Sequence, residues 1–441
     1  MSLQDLNQKI IATEARLAVI GLGYVGLPVA CAFAEAGFDV LGVDVKAERI
    51  VKINAGLSPI EGEEPGLAEL LAKVVGSKKL RATCDYPDLA DRDIIFIDVE
   101  TPVNDAHKPE YQALRSVLRS LGQVLQPGML VIVESTIAPG TMSGLVRPGL
   151  EEASHLKANL DFYLGNCPER VMPGKLLSNL HSLSRVCGGG TPETAESMVR
   201  FYRRVIQADL DPVDWITAEL VKTVENAYRD VQIAFANEVA LICEALGGDV
   251  WKVRELVNKS PYRQMHLPGA GVGGHCIPKD PWLLVYGVEG KDVPVRLIPT
   301  ARAVNDGMPA HVADLLEGAL AQAGRGLEGA RILVLGYAYL EDSDDTRNSP
   351  SEALVKILSE RGAGVVIHDP YVPGYQGDVY EMARGCDGVV VMVRHKEYFK
   401  IDFSKLLMAL HEPVLIDGRH LLDDSNGDFS GWQIYGIGKE R

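Results

Sequence analysis

The sequence predicts an α/β protein in which two Rossmann-like parallel-sheet domains are joined by a central helical domain with a long helix. Three observations carry this. Short apolar runs alternate with helical stretches at both ends of the chain, the pattern of parallel sheets covered by helices. A long stretch without proline or internal glycine lies between them. A turn with three spaced glycines follows the first apolar run but not its counterpart near the carboxyl end.

The first run, Leu17–Ile20, reads as a buried strand, and Gly21-Leu22-Gly23-Tyr24-Val25-Gly26 follows at once. Leu27–Ala36 reads as a helix stopped by Gly37, and Asp39–Val43 as a second strand ending at Asp44. Gly21 permits the tight turn, Gly23 the close approach of a pyrophosphate, and Gly26 close helix–strand packing. The phosphates would face free N–H groups at the helix start. Asp44 would accept hydrogen bonds from ribose hydroxyls, which favours NAD over NADP. Tyr24, Val25 and Arg49 complete the expected cofactor set. The bland alternative for the glycines is a simple turn.

Asp93–Ile97 and Met129–Val133 continue the sheet and end in Thr101-Pro102 and Ser135-Thr136. Ligands of open α/β sheets lie beyond the carboxyl ends of strands, so Thr101 and Thr136 are candidate contacts. Capping of the next turn explains either threonine equally well. Gly165–Gly174 ends another strand and carries Glu169 and Arg170, where Glu169 could act on water or simply pair with Arg170.

Thr217–Leu246 reads as one helix. Leu220, Val224, Ala227, Val231, Ala234 and Phe235 form an apolar stripe, and Lys222, Asn226 and Arg229 share another face. A lysine and an asparagine one turn apart could present an ammonium and an amide to one substrate oxygen, or they could line a solvated face. A helix of this length is also a natural dimer contact. Gly271-Val-Gly273-Gly-His275-Cys276-Ile-Pro-Lys279-Asp280 places a cysteine in a glycine-rich loop beside a cation. Glycines let the backbone approach a ligand, and a nearby cation favours the thiolate; a small buried thiol in a turn is the alternative. Arg331–Gly336, Val365–Asp369, Gly388–Val393 and Val414–Asp417 are the strands of the last domain. The lone Gly336 argues against a second dinucleotide site there.

A length of 441 residues suggests about three domains. They are expected at 1–210, 211–325 and 326–441, with linkers near Ala208–Trp215 and Gly324–Gly329. A hydrophobic share of 46% and a charged share of 24% are those of a globular protein. The net charge of −16 argues against a nucleic-acid or membrane-surface partner. The seven cysteines show neither CxxC pairs nor metal-ligand spacing, so no metal is expected. Met1–Glu14 lacks the apolar core of a signal peptide and no run approaches membrane-spanning length, so a cytoplasmic protein is expected.

Taken in order, the glycine loop, Ser135-Thr136, Pro168-Glu169, the Lys222–Asn226 helix, the Cys276 loop and Asp344–Pro350 resemble the nucleotide-sugar 6-dehydrogenases, the UDP-glucose/GDP-mannose dehydrogenase family. The resemblance runs from Gly21 to Asp417-Gly-Arg419 and implies a four-electron, NAD-dependent oxidation of a sugar C6 hydroxyl to a uronic acid. Cys276 matches the nucleophile that forms a thiohemiacetal and then a thioester. Lys222 matches the lysine that stabilises the oxyanion, with Asn226 as a second donor. Asp280 and Thr136 match residues that organise water, and Glu169 the acid/base carboxylate. Glu169, Arg170, Lys222, Asn226, Arg263, Gly273 and Arg347 are the implied substrate contacts; Arg347 brings a fork suited to phosphate or carboxylate. Its alternative is a salt bridge with Asp344 or Asp345. Arg263 lies near a family arginine that reaches the neighbouring subunit's site, although its spacing to Cys276 is not identical.

UDP-glucose enzymes carry a second glutamate four positions after the first; here that position is Pro173, and Arg170 replaces an aromatic residue. Together with His275 this resembles the branch acting on UDP-N-acetyl-hexosamines, with UDP-N-acetyl-D-mannosamine preferred and surface-polysaccharide precursors as the product class. UDP-N-acetyl-D-glucosamine and UDP-glucose are the alternative substrates. A two-electron β-hydroxyacid-type dehydrogenase and a non-enzymatic nucleotide sensor are the remaining readings. The resemblance also implies a UDP-sugar as ligand of the last domain and a homodimer through the 217–246 helix.

Overall fold

The computed structural model describes residues 1–60, 64–172, 174–422 and 428–440. Two compact units emerge: residues 1–225 with 282–293, and residues 226–281 with 294–441.

The first unit is built on β1 (Arg16–Ile20), β2 (Asp39–Val43), β3 (Leu80–Thr83), β4 (Ile94–Ile97), β5 (Leu130–Val133), β6 (Tyr163–Asn166), β7 (Arg185–Gly189) and β8 (Leu210–Asp214). Their order is β3-β2-β1-β4-β5-β6-β7-β8, and every pairing is parallel except β6 with β7. The reversal of strand order beside β1 leaves a crevice at the carboxyl ends of β1 and β4, the usual ligand position in such sheets. The strands β1, β2, β4 and β5 are buried on both faces, which is why they read as continuous apolar runs. Phe33 stacks on Phe201 with centroids 4.5 Å apart, fastening the Gly26–Glu35 helix to the Pro192–Tyr202 helix.

The second unit holds β9 (Arg331–Leu335), β10 (Gly364–His368), β11 (Gly388–Val391), β12 (Val414–Asp417), β13 (Gln433–Gly436) and β14 (Lys439–Glu440), ordered β10-β9-β11-β12-β13-β14. All pairings are parallel until the last. Asp369 follows β10 as Asp44 follows β2. It accepts N–H bonds from Tyr337 and Ala338 at Oδ2, from Tyr371 and Val372 at Oδ1, and a contact from His395 Nε2 at 3.1 Å. A carboxylate offers about four acceptor positions, so this one is saturated.

The long helix spans Trp215–Leu246, two residues earlier than the sequence suggests. Its predicted apolar stripe is not a buried face. Ala227 and Ala234 are buried, but Leu220, Val224 and Phe235 are exposed, Phe235 at 61%. In the second unit the same helix instead buries Asp230 and Asn237. Arg302 Nη1 reaches Asp230 at 2.7 Å, and Asn305 Nδ2 donates to the same carboxylate at 2.7 Å. Asn237 donates to Asn305 at 2.9 Å and accepts from Gly269 N–H at 2.8 Å. Periodicity shows which residues share a face, not what covers it. Among the described residues no helix is long and apolar enough to cross a membrane.

Candidate active site

In the first unit the glycine loop has the geometry its spacing predicts. Gly21 has φ +95°, closed to most side chains, and a Cβ there would stand 2.2 Å from the Asp98 carbonyl oxygen. A Cβ on Gly26 would stand 1.9 Å from the Gly21 carbonyl oxygen, so the helix can begin this close to β1 only with glycine. A Cβ on Gly23 would meet no protein atom within 4 Å. Gly23 is therefore spared for something outside the chain. Val25 precedes the helix without a side-chain cap, leaving first-turn N–H groups for a ligand. Tyr24 bonds Glu64 through its hydroxyl.

Asp44 accepts Leu22 N–H and Lys46 N–H, each at 2.9 Å, and pairs with Arg49 at 2.7 Å. Burial by itself raises a carboxyl pKa; here the bonds from Lys46, Arg49 and Leu22 win, and Asp44 is held below its ordinary value. It is an ionised acceptor with a lone pair left over, as a ribose diol requires. The open Gly23, the tight Gly21 and Gly26, and this acid fit a dinucleotide.

Thr101 and Thr136 are brought together: Thr101 Oγ1 donates to the Thr136 carbonyl at 2.6 Å, joining the loops after β4 and β5. Glu169 is buried, accepts Arg170 N–H at 2.7 Å and pairs with Arg185, not with the Arg170 side chain, at 2.5 Å. Arg170 is engaged by Glu225 at 3.0 Å and by the Ser184 carbonyl at 2.6 Å. Lys222 is 8% exposed, so it does not stand on a solvated face; Arg229, placed with it by helical spacing, is exposed. One turn before Thr223, Glu219 accepts the N–H groups of Gly140 and Met142, both at 2.7 Å. Burial pushes its pKa up to about 7 against those bonds.

In the second unit the Cys276 loop is fixed by backbone bonds. Gly274 N–H donates to the Arg347 carbonyl at 2.9 Å, and Asn348 Nδ2 to the Gly274 carbonyl at 3.1 Å. Gly271 and Gly274 have φ +120° and +91°. A Cβ on Gly273 would lie 2.6 Å from Tyr339 Cβ, so the glycine serves packing, a reason the sequence did not disclose. The Cys276 carbonyl accepts Asp280 N–H at 2.8 Å, which sets the exposed Cys276 just ahead of the Asp280–Tyr286 helix. Asp280 is fully buried; it accepts Asn226 Nδ2 at 2.6 Å and faces Lys279 Nζ at 3.3 Å. Burial, then the Lys279 and Arg347 cations, depress His275 to about 4, so its imidazole is neutral at physiological pH. Arg347 forks onto Asp345 at 2.9 and 2.5 Å. Arg263 is exposed and bonds within its own turn, its Nη1 3.5 Å from the Tyr262 carbonyl.

Asn226 and Asp280, and Thr101 and Thr136, are thus joined as pairs that spacing could not reveal. Arg185, Glu134, Asp98 and Glu219 are ionisable groups with buried side chains that the sequence reading missed. For Arg185, Glu134 and Asp98 the available signal was a polar residue at the edge of a strand; Glu219 lies within the long helix.

Comparison with known proteins agrees with this geometry. The chain matches the NAD binding domain of the UDP-glucose/GDP-mannose dehydrogenase family over residues 15–206, the central domain over 216–307 and the UDP binding domain over 333–424. It is 38% identical over 424 residues to a UDP-N-acetyl-D-mannosamine dehydrogenase of Pyrococcus horikoshii, covering 96% of this chain and 99% of that one. A crystal structure described as an NDP-N-acetyl-D-galactosaminuronic acid dehydrogenase of Methanosarcina mazei superposes with TM-score 0.87 at 38% identity, over 100% of this chain and 98% of that one. A UDP-glucose dehydrogenase of Pyrobaculum islandicum superposes with TM-score 0.83 at 30% identity, over 95% and 98%. With a glycine loop and acid shaped for NAD, an exposed cysteine loop and all three family domains in order, the chain belongs to the UDP-glucose/GDP-mannose dehydrogenase family, a family of NAD-dependent oxidoreductases.

Proposed function

We propose that the protein oxidises the C6 hydroxyl of a UDP-N-acetyl-hexosamine, with UDP-N-acetyl-D-mannosamine preferred, to the uronic acid. The observation that carries this is Cys276: an exposed thiol on a loop pinned by Arg347 and Asn348, directly ahead of the buried Asp280 that Asn226 bonds. A two-electron dehydrogenase has no use for such a thiol. The preference among sugars rests on Arg170 and His275 and on similarity to UDP-N-acetyl-D-mannosamine dehydrogenases.

NAD, when bound, accepts hydride from the substrate carbon. The chain's residues do the rest. Lys222 and Asn226 stand one turn apart on the long helix, and their ammonium and amide stabilise the oxyanion at C6. The Cys276 thiolate adds to the aldehyde carbon, and the thiohemiacetal so formed is sp3 and carries a second transferable hydrogen. Oxidation leaves a thioester on Cys276. Glu169, with Thr136 and Asp280, holds the water that cleaves it. Asp44, Arg49, Thr101 and the Tyr24–Gly26 turn hold the dinucleotide, while Arg347, Arg170, Gly273 and Arg263 contact the UDP-sugar.

The division into 1–210, 211–325 and 326–441 is retained as the functional one; the order of the three matched family segments supports it. The exposed Leu220, Val224, Tyr228, Phe235 and Ile242 recur along one side of the long helix and support a homodimer through it. A thiol nucleophile calls for a reducing compartment, which supports the cytoplasm.

The test is a panel of UDP-sugars with NADH counted per sugar consumed. Two NADH per UDP-N-acetyl-D-mannosamine, with uronate as product, is the expected result. One NADH with free aldehyde would overturn the four-electron assignment, and turnover of UDP-glucose in preference would overturn the substrate.

A further inference from the structure

Glu169 does not stand alone behind β6. Arg185, the first residue of β7, is essentially unexposed and reaches Glu169 Oε2 with Nη2 at 2.5 Å and Glu134 Oε1 with Nη1 at 3.4 Å. Tyr202 donates to the same Glu134 oxygen at 2.5 Å, and the guanidinium lies 5.6 Å over its ring. Asp98, just beyond β4, turns both carboxyl oxygens into the same buried space. Around this arginine therefore stand Asp98, Glu134, Glu169, Tyr202 and the Cys167 thiol, with the Arg170 backbone N–H on the far oxygen of Glu169. Three carboxyl groups face one guanidinium, an arrangement that stays buried only if the acids behind it keep a proton between them. Burial together with the neighbouring carboxylates raises Asp98 and Glu134.

We propose that Arg185 is a positioning residue for thioester hydrolysis, holding the Glu169 side chain in one rotamer against the water it aims. This rests on the reading that Glu169 handles the hydrolytic water. Arg185 Nη2 is charge-paired with Oε2 and the Arg170 N–H donates to Oε1, so the carboxyl group is held at both oxygens and keeps a lone pair for a water. Held this way, Glu169 accepts a hydrogen bond from water and aims its oxygen; it does not deliver a proton. The water oxygen bonds to the thioester carbonyl carbon, and the C–S bond breaks with its electron pair passing to sulfur. One water proton ends on Cys276 as the thiol, and the other leaves with the uronic acid, which ionises in solvent.

The experiment reads acyl-enzyme decay directly. The full-length enzyme with NAD and UDP-N-acetyl-D-mannosamine is acid-quenched during turnover, and the acyl adduct on Cys276 is followed by intact mass spectrometry. Arg185→Lys keeps the charge and fits the space, but one ammonium cannot fork onto two carboxylates. It should slow decay about three- to tenfold while leaving KM within about twofold, because Glu169 is no longer held in the rotamer that aims the water. Arg185→Met should do the same about tenfold or more. A folded Arg185→Lys enzyme with wild-type decay overturns the proposal. So does a loss confined to KM or thermal stability, the mark of a merely structural arginine. Glu169→Gln separates the two ideas. If it leaves decay unchanged, the role of Glu169 itself is wrong; if it stalls decay while Arg185→Lys does not, only the role of Arg185 falls.

Discussion

One methyl group placed on Gly23 or on Gly26 should separate binding from folding. At Gly26 the added carbon lands 1.9 Å from the Gly21 carbonyl oxygen and 3.0 Å from Asp98 Cβ, and backbone must move to admit it. Overpacking of this kind costs about 1–3 kcal/mol. For a domain of this size that is a drop in Tm of roughly 2–12 °C. At Gly23 the methyl meets no protein atom within 4 Å, so the apo stability of Gly23→Ala should stay within about 0.5 kcal/mol of wild type. The same methyl points into the space a pyrophosphate needs, and NAD should bind about tenfold more weakly, about 1.4 kcal/mol. Thermal unfolding with and without NAD measures both. At a concentration saturating the wild type a hundredfold, NAD stabilises by about 2.7 kcal/mol; for Gly23→Ala the gain should fall to about 1.4 kcal/mol. A Gly23→Ala protein that unfolds early yet keeps its full NAD-dependent gain would refute the division of labour between the two glycines.

Lys222→Ala should lower kcat about 10²–10³-fold with a smaller change in KM, because an ammonium aimed at an oxyanion acts mainly in the transition state; unchanged steady-state kinetics would return it to a structural role. Cys276→Ala should abolish uronate formation while leaving NAD affinity, measured by calorimetry, near wild type. Glu134 gives a pH prediction. Burial lifts its pKa from 4.5 to about 7, so the native state holds a proton that the unfolded chain has already lost above 4.5. Its contribution therefore favours folding at low pH and is lost as pH rises from about 4.5 to about 7, by about 3 kcal/mol in all. Urea denaturation at the two ends of that window should show the loss in wild type and a flatter response in Glu134→Gln. Arg302→Met strands the Asp230 carboxylate and should cost about 3–5 kcal/mol by the same assay; near-wild-type stability would show that this charge finds water.

The parts legible in the sequence are those whose chemistry is local. Gly21, Gly23, Gly26 and Asp44 lie within one strand–turn–helix–strand passage, and the backbone demands on each glycine follow from that passage alone. The Cys276 loop is equally contiguous. Arg185, Glu134 and Tyr202 escaped because the bonds that join them span 51 and 68 residues, and only strand order brings them together. β7 itself reads poorly: Arg185-Val-Cys-Gly-Gly begins with a charge and ends in glycines. Gly188 and Gly189 are required there, since Cβ atoms would meet Ala218 at 2.6 Å and Ala195 N at 2.3 Å. The long helix is legible from its spacing, but the burial of Asp230 and Asn237 is not, because their partners lie on the distant Leu297–Gln322 helix.

The saturated Asp369 has a practical consequence for chemical probes. The two sheets present the same silhouette, each with an acid after its second-wound strand, yet Asp44 spends three bonds where Asp369 spends five. An adenosine mimic that offers a vicinal diol finds a receptor at the first acid and a blocked socket at the second. Titrated with such a compound, the enzyme should saturate at one molecule per chain. A drug designed against the dinucleotide crevice then needs no counter-screen against its own structural twin.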